Sequence, residues 1–71
     1  MMSLYEIAMQ YWQKNVKITT SRGNSYVGRL IGYTPECDNE PDPESIFVSI
    51  SANVVIELFG HEIENITQVD K

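Results

Sequence analysis

The spacing of apolar residues changes once along the chain, from a helical period to a strand period. Near the N-terminus apolar residues recur every three or four positions, which places them on one face of an α-helix. Ser3 precedes this stretch and Glu6 follows three residues later, as in a capping box. We therefore predict a helix over about residues 3–13 that packs on the open end of the remaining fold. Its apolar face consists of Leu4, Ile7, Ala8, Tyr11 and Trp12.

From Val16 onward apolar and polar residues alternate, which is typical of half-buried β-strands. The second strand contains Gly28 and Gly32, and glycine inside a strand often marks a bend. We expect this strand to curl so that it pairs on both sides and removes free edges. The chain is thus predicted to be mainly β, a small five-stranded antiparallel SH3-like barrel over about 15–69 with an N-terminal helix. The strands are predicted at about 16–20, 26–33, 46–50, 54–58 and 63–69.

A short turn at Gly60 and His61 separates the last two strands. Gly60 is expected to take a positive φ there. The turn exposes Phe59 and His61, the latter being the single histidine. Two interpretations stay open for each ring: Phe59 either contacts a ligand or packs on apolar surface, and His61 either contacts a ligand or is an ordinary exposed turn residue.

The length and composition are those of one small globular domain over residues 1–71. A composition of 42% hydrophobic and 21% charged residues argues against disorder. A chain this short buries only about 60% of its unfolded surface, so the core is thin and self-association is favourable. We therefore expect a ring or another homo-oligomer.

The chain carries no feature that predicts membrane insertion or export. No apolar run approaches the roughly 20 residues of a membrane span, and the N-terminus lacks the pattern of a signal peptide. The single cysteine, Cys37, cannot form an intramolecular disulfide. We expect no membrane association and a cytoplasmic location.

The net charge disfavours nucleic-acid binding, but the charged residues are unevenly distributed along the chain. The net charge is −5, whereas nucleic-acid affinity comes largely from phosphate neutralisation by Lys and Arg. The cations gather around the first predicted hairpin, which allows a local positive face. Acids crowd the loop over residues 35–45, which we interpret as a solvated loop rather than a metal site. The basic residues are Lys14, Lys17, Arg22, Arg29 and Lys71, and three of the first four flank or sit in that hairpin.

Nothing in the sequence predicts catalysis or a cofactor. Cys37 lies among carboxylates, which disfavour the reactive thiolate. It has no second cysteine and no adjacent histidine in sequence to activate it. We predict a binding protein rather than an enzyme, with no cofactor and no metal.

Two stretches resemble the motifs of the Sm and Sm-like (LSM) family. The stretch LFGHEIENI, residues 58–66, is similar to the second Sm motif, I-R-G-x-x-I-x-x-I. The first motif's alternating strand, turn glycine, aromatic residue, glycine and aliphatic pair also occur in order. With the helix, the resemblance spans about residues 4–69 and implies the Sm-like barrel. The first-motif residues are Val16, Ile18, Gly23, Tyr26, Gly28, Leu30 and Ile31.

The resemblance implies single-stranded RNA as ligand, yet the usual uracil-binding residues differ. The family's loop aspartate, stacking residue and asparagine align with Pro35, Cys37 and Asp38, or with Asn39 for the last if the loop shifts by one. The stacking arginine of the second motif is replaced by Phe59. In the family the pocket forms in a ring, in which the fourth strand of one subunit pairs with the fifth strand of the next.

The second motif is also similar to that of the bacterial RNA chaperone Hfq. Phe59 and His61 match its aromatic residue and histidine, while Gly60 replaces its lysine. The resemblance implies that Phe59, Gly60 and His61, with Cys37 and Asp38, line an RNA-binding pore. The alternative is an acidic protein-interaction module that has lost RNA binding and meets a basic protein partner.

Overall fold

The computed structural model describes residues 3–35 and 44–69 of this protein. Within them the fold is mainly β, with one N-terminal helix and five antiparallel strands in a single sheet. A single 3-10 turn connects the last two strands. The elements are α1 (Leu4–Gln10), β1 (Asn15–Thr20), β2 (Ser25–Thr34), β3 (Ser45–Ser51), β4 (Val54–Phe59), the 3-10 turn (Gly60–Glu62) and β5 (Ile63–Gln68).

Helix α1 begins where the sequence predicts but ends earlier. The Ser3 Oγ accepts from the Glu6 backbone N–H at 3.1 Å, and the Ser3 N–H donates to Glu6 Oε1 at 2.9 Å. This confirms the predicted capping box. The predicted end near residue 13 is wrong because Gln13 has a φ of 60°, outside the helical range. Its N–H donates to the Leu30 carbonyl at 2.8 Å, which turns the chain into β1.

Strand β2 bends and pairs on both sides, as predicted. Its first half pairs with β1, and its second half pairs with β3. The register shifts between Leu30 and Gly32, so one extra residue sits in β2 at the bend. The sheet order is β4-β3-β2-β1-β5.

The expected removal of free edges is wrong for the described residues. The sheet is open, since the outer edges of β4 and β5 have no partner strand within 3–35 and 44–69. Bending β2 brings the two halves of the sheet around one core, but it does not bring β4 and β5 into hydrogen-bonding contact. A small SH3-like or Sm-like fold remains compatible with this topology.

Close packing explains the glycine at position 28. A Cβ placed there would overlap the carbonyl oxygen of Ser49 and lie 2.9 Å from Val48 Cγ1. Gly32 is less crowded, with its nearest neighbour the Phe47 ring at 3.1 Å. Gly28 thus lets β3 pass across the bent strand at a distance no side chain permits.

The core lies between the concave face of the sheet and α1. Tyr11 packs against it, while Trp12 is 41% exposed, so one of the two aromatic residues that follow α1 faces the core. No helix among the described residues is long and apolar enough to cross a membrane. The buried apolar side chains are Leu4, Ala8, Val16, Ile18, Leu30, Ile46, Val48 and Leu58.

Candidate functional site

The turn between β4 and β5 is one turn of 3-10 helix held at both ends. The Phe59 N–H donates to Glu62 Oε1 at 3.0 Å, which forms half of a capping box, since Phe59 itself has no side-chain acceptor. The Gly60 N–H donates to the Glu44 carbonyl at 3.2 Å. These bonds fix the direction in which residues 59–61 leave the sheet.

The predicted positive φ at Gly60 is wrong. Gly23, with φ of 89°, is the one glycine in that region. Gly60 instead begins the 3-10 turn, whose backbone is right-handed and open to any L-residue. A Cβ on Gly60 would meet Leu4 Cδ2 at 3.5 Å, an ordinary contact.

Phe59 and His61 place two nearly parallel rings at this turn. Their centroids are 6.1 Å apart and their planes differ by 14°. That distance lies near the upper end of the range for aromatic pairs. His61 is exposed and Phe59 is half-buried. The pair therefore offers solvent an aromatic surface together with imidazole nitrogens that can form hydrogen bonds.

The segment that follows the acidic loop is tied to the same turn. The Tyr33 hydroxyl donates to Glu44 Oε1 at 2.7 Å. The ring of Tyr5, on α1, packs edge to face on Tyr33 at 5.7 Å. Glu44 thus joins the end of β2 to Gly60. The two other predicted site residues, Cys37 and Asp38, lie outside the described residues.

The turn itself carries only acidic charge, and the cation Arg22 of the β1–β2 turn lines a cavity together with Glu62. Residues 44–69 contain no Lys or Arg. Glu44 and Glu62 hydrogen-bond within or next to the turn, and Glu64 follows at the start of β5. The turn therefore supplies rings and imidazole nitrogens but no lysine or arginine to neutralise a phosphate.

An apolar groove of about 430 Å³ opens beside Gly60, between α1 and β5. Glu44 and Glu64 are the charged residues that line it. An apolar surface of this kind suits a packed side chain or a flat ring better than a charged group. Its apolar lining comes from Leu4, Ile7, Tyr11, Ile63 and Ile66.

Two contacts of this site cannot be predicted from local sequence patterns. Tyr33 and Glu44 are eleven residues apart across the acidic loop, beyond any local spacing rule. Glu62 stands three residues after Phe59, the spacing of a capping box, but the pattern was hidden because Phe59 is not Ser or Thr. Within residues 3–35 and 44–69, no three His, Cys, Asp or Glu side chains lie close enough together to hold a metal ion.

Comparison with known proteins returned no relative. No protein-family model matches the chain, and neither curated proteins nor solved structures gave a significant match. The fold and the turn define a class, a small antiparallel β protein with a capping helix and an aromatic turn at one end of its edge strands.

Proposed function

We propose that this protein is an Sm-like binding protein that contacts single-stranded RNA in an oligomeric ring. The nearly parallel rings of Phe59 and His61 carry the proposal. An unpaired base stacks on Phe59, and His61 hydrogen-bonds to a base edge or the backbone. Stacking of this kind contributes about 1–3 kcal/mol per base and accepts any base. By the Sm-like resemblance, Cys37 and Asp38 line the same pore from the neighbouring loop.

The open sheet edges support the assembly. β4 and β5 each have one unpaired edge among the described residues. Val54 and Val55 on β4 are 43% and 53% exposed, and a partner strand would cover apolar surface there. Joining β4 of one copy to β5 of the next is a head-to-tail contact, which closes into a ring when the rotation between copies permits. The resemblance favours this joint, and we place the ring in the cytoplasm.

Light scattering behind a sizing column tests the assembly first. A particle several times the mass of the chain agrees with a ring, whereas a monomer at all concentrations would remove the pore. The edge contact is tested by Val55→Lys, which places a charge on the exposed edge strand. We expect this variant to fold but to give a smaller particle mass in the same light-scattering measurement.

RNA binding is then measured by fluorescence anisotropy with a labelled oligouridylate and a labelled oligoadenylate. Phe59→Ala should weaken binding of both by about tenfold or more, from the lost stacking. Trp12→Ala is the matched control, because Trp12 is an exposed aromatic residue that follows α1 and lies outside the β4–β5 turn. Equal losses in the two variants, or no loss for Phe59→Ala, would contradict a site at this turn.

The absence of Lys and Arg from residues 44–69 favours a second candidate, an acidic module that binds a basic protein partner. Its test is titration with a lysine-rich peptide. Replacing Glu40, Asp42 and Glu44 by their amides should abolish that binding. Glu6→Gln, a change on α1, should leave it intact. An unchanged affinity after the triple replacement would contradict this candidate.

A further inference from the structure

The convex face of β5, β1 and β2 carries positive charge. None of the residues on this face that pair between these strands is acidic. Val16, Ile18 and Leu30 point into the core, so their neighbours in sequence point outward. Residues directly opposite across antiparallel strands share a face. Lys17 and Arg29 are the charged residues among these positions. We name this surface the basic face; it comprises Asn15, Lys17, Thr19, Ser25, Val27, Arg29, Ser49, Asn65 and Thr67.

Lys17 and Arg29 are close neighbours without an opposite charge. Lys17 is opposite Val27 and Arg29 is opposite Asn15, which makes the two cations diagonal neighbours about 7–8 Å apart. Both are exposed, and neither forms an ion pair with any described residue. Two like charges at this spacing repel, and a bound anion between them would remove that repulsion.

The other side chains of the basic face are also suited to bind an anion such as phosphate. Hydroxyl and amide groups surround the two cations, and these groups, with Lys and Arg, are the usual donors to nucleic-acid phosphates. In a chain of net charge −5, this surface can bind phosphate because none of the paired positions of β5, β1 and β2 on this face carries a carboxylate. The donors nearest the cations are Asn15 and Thr67, since the Ser49 hydroxyl already donates to the Ser51 carbonyl at 3.1 Å.

The basic face is continuous with the surface that carries Phe59. On the β3–β4 pair, Phe59 is opposite Ser45 and Val55 is opposite Ser49, so both point to the convex side. Ser49 is also opposite Arg29. Phe59 lies four residues from Val55 along β4, about 13 Å. One RNA strand of a few nucleotides spans this distance.

One carboxylate lies between the two regions. Glu57 occupies the position between Phe59 and Val55 on the same side of β4, and its Oε2 accepts a hydrogen bond from Ser45 Oγ at 2.7 Å. An RNA strand running from Phe59 to Arg29 passes this group, which opposes phosphate there.

Building on the RNA-binding function proposed above, we propose that the basic face binds the phosphate backbone of single-stranded RNA through Lys17 and Arg29. The aromatic turn then holds a base, and the phosphate contacts lie elsewhere on the same subunit. This division supplies positive charge that residues 44–69 lack.

The salt dependence of binding tests this assignment. For single strands, each neutralised phosphate contributes about 0.7 to the slope of log K against log salt concentration. Lys17→Gln and Arg29→Gln should each reduce the slope by about 0.7, and the double variant by about 1.4. The probe is the labelled oligouridylate, measured over a series of salt concentrations with the full chain.

Arg22→Gln is the control for net charge, because Arg22 lies in the β1–β2 turn, outside the paired positions of the basic face, and lines a cavity together with the acidic residue Glu62. It should leave the slope unchanged. Lys17→Arg keeps the charge and should retain the wild-type slope. Phe59→Ala should lower affinity at every salt concentration without changing the slope, since stacking involves no counterion release.

The outcomes separate the two ideas. If the wild-type chain binds no oligonucleotide at low salt, the proposed function and the basic face both fail. If Phe59→Ala weakens binding while Lys17→Gln and Arg29→Gln leave the slope unchanged, the function stands and the basic face is overturned. A slope change in Arg22→Gln equal to that in Arg29→Gln would also overturn it, because net charge alone would then explain the effect.

Discussion

A methyl group added at Gly28 tests whether the bent sheet depends on close backbone contact. In Gly28→Ala the new Cβ would overlap the Ser49 carbonyl oxygen and approach Val48 Cγ1 to 2.9 Å. The carbonyl belongs to the backbone of a paired strand, so it cannot rotate away as a side-chain end does. Relief requires β3 to move relative to β2, which disturbs the hydrogen bonds next to the bend.

The expected cost lies at the upper end of the range for overpacking, about 3 kcal/mol. A chain of this length is stable by about 4–11 kcal/mol, so the variant keeps only part of its stability. Two other glycines give a graded comparison. Gly23→Ala should cost about 1–2 kcal/mol because φ is 89° there. Gly60→Ala should change stability by less than about 0.5 kcal/mol, because a Cβ there makes only ordinary contacts and the backbone φ is not positive.

Urea unfolding followed by circular dichroism measures all three variants. Because association with other copies would add to apparent stability, each curve is recorded at several protein concentrations. The order of destabilisation should be Gly28 first, Gly23 second and Gly60 last. A loss for Gly60→Ala as large as that for Gly28→Ala would refute the 3-10 description of the turn, and a loss for Gly28→Ala as small as that expected for Gly60→Ala would refute the packing account of Gly28.

Four further changes test separate contacts. Ser3→Ala should lower stability by about 1 kcal/mol through loss of the N-cap, measured in the same urea assay. Leu30→Ala should cost about 2–5 kcal/mol, because its side chain is fully buried; a cost below 1 kcal/mol would contradict its place in the core. Tyr33→Phe should cost about 1–2 kcal/mol through loss of the bond to Glu44, and no change would show that this bond contributes nothing. Glu57→Gln should strengthen RNA binding in the anisotropy assay, and weaker binding would contradict the path from Phe59 to the basic face.

The strands were predictable because alternation is written directly in the sequence. The pattern from Val16 to Thr20 anticipates β1, which the structure extends by one residue to Asn15. Burial confirms its inward positions, since Val16 and Ile18 are fully covered. The bend of β2 was also predictable, because glycine weakens a strand interior and often marks a bulge or a bend.

The errors concern features that depend on distant contacts. Gly60 was assigned a positive φ because glycine commonly takes it in tight turns. The actual conformation is set by hydrogen bonds with Glu44 and Glu62, only one of which is close in sequence. The end of α1 depends in the same way on Gln13, whose N–H meets Leu30 on another strand. Free edges follow from the curvature of the whole sheet, which local pattern does not encode.

The candidate site was partly readable from the sequence. His61 is exposed and Phe59 half-buried at the expected turn. What the sequence hides is their mutual orientation, which requires the 3-10 turn to bring residues 59 and 61 into parallel planes. Cys37 and Asp38 lie outside the described residues, and the role proposed for them follows from the Sm-like resemblance.

The register of the first hairpin links the fold to the basic face. In a strand, a shift of one residue moves every side chain to the opposite side. The register that buries Val16 and Ile18 is therefore the one that exposes Lys17, and the pairing that buries Leu30 likewise exposes Arg29. Core formation alone thus brings the two cations together on the convex face of the sheet. Because the strand register already sets the backbone positions of Lys17 and Arg29, an anion can bind between them without any rearrangement of the sheet.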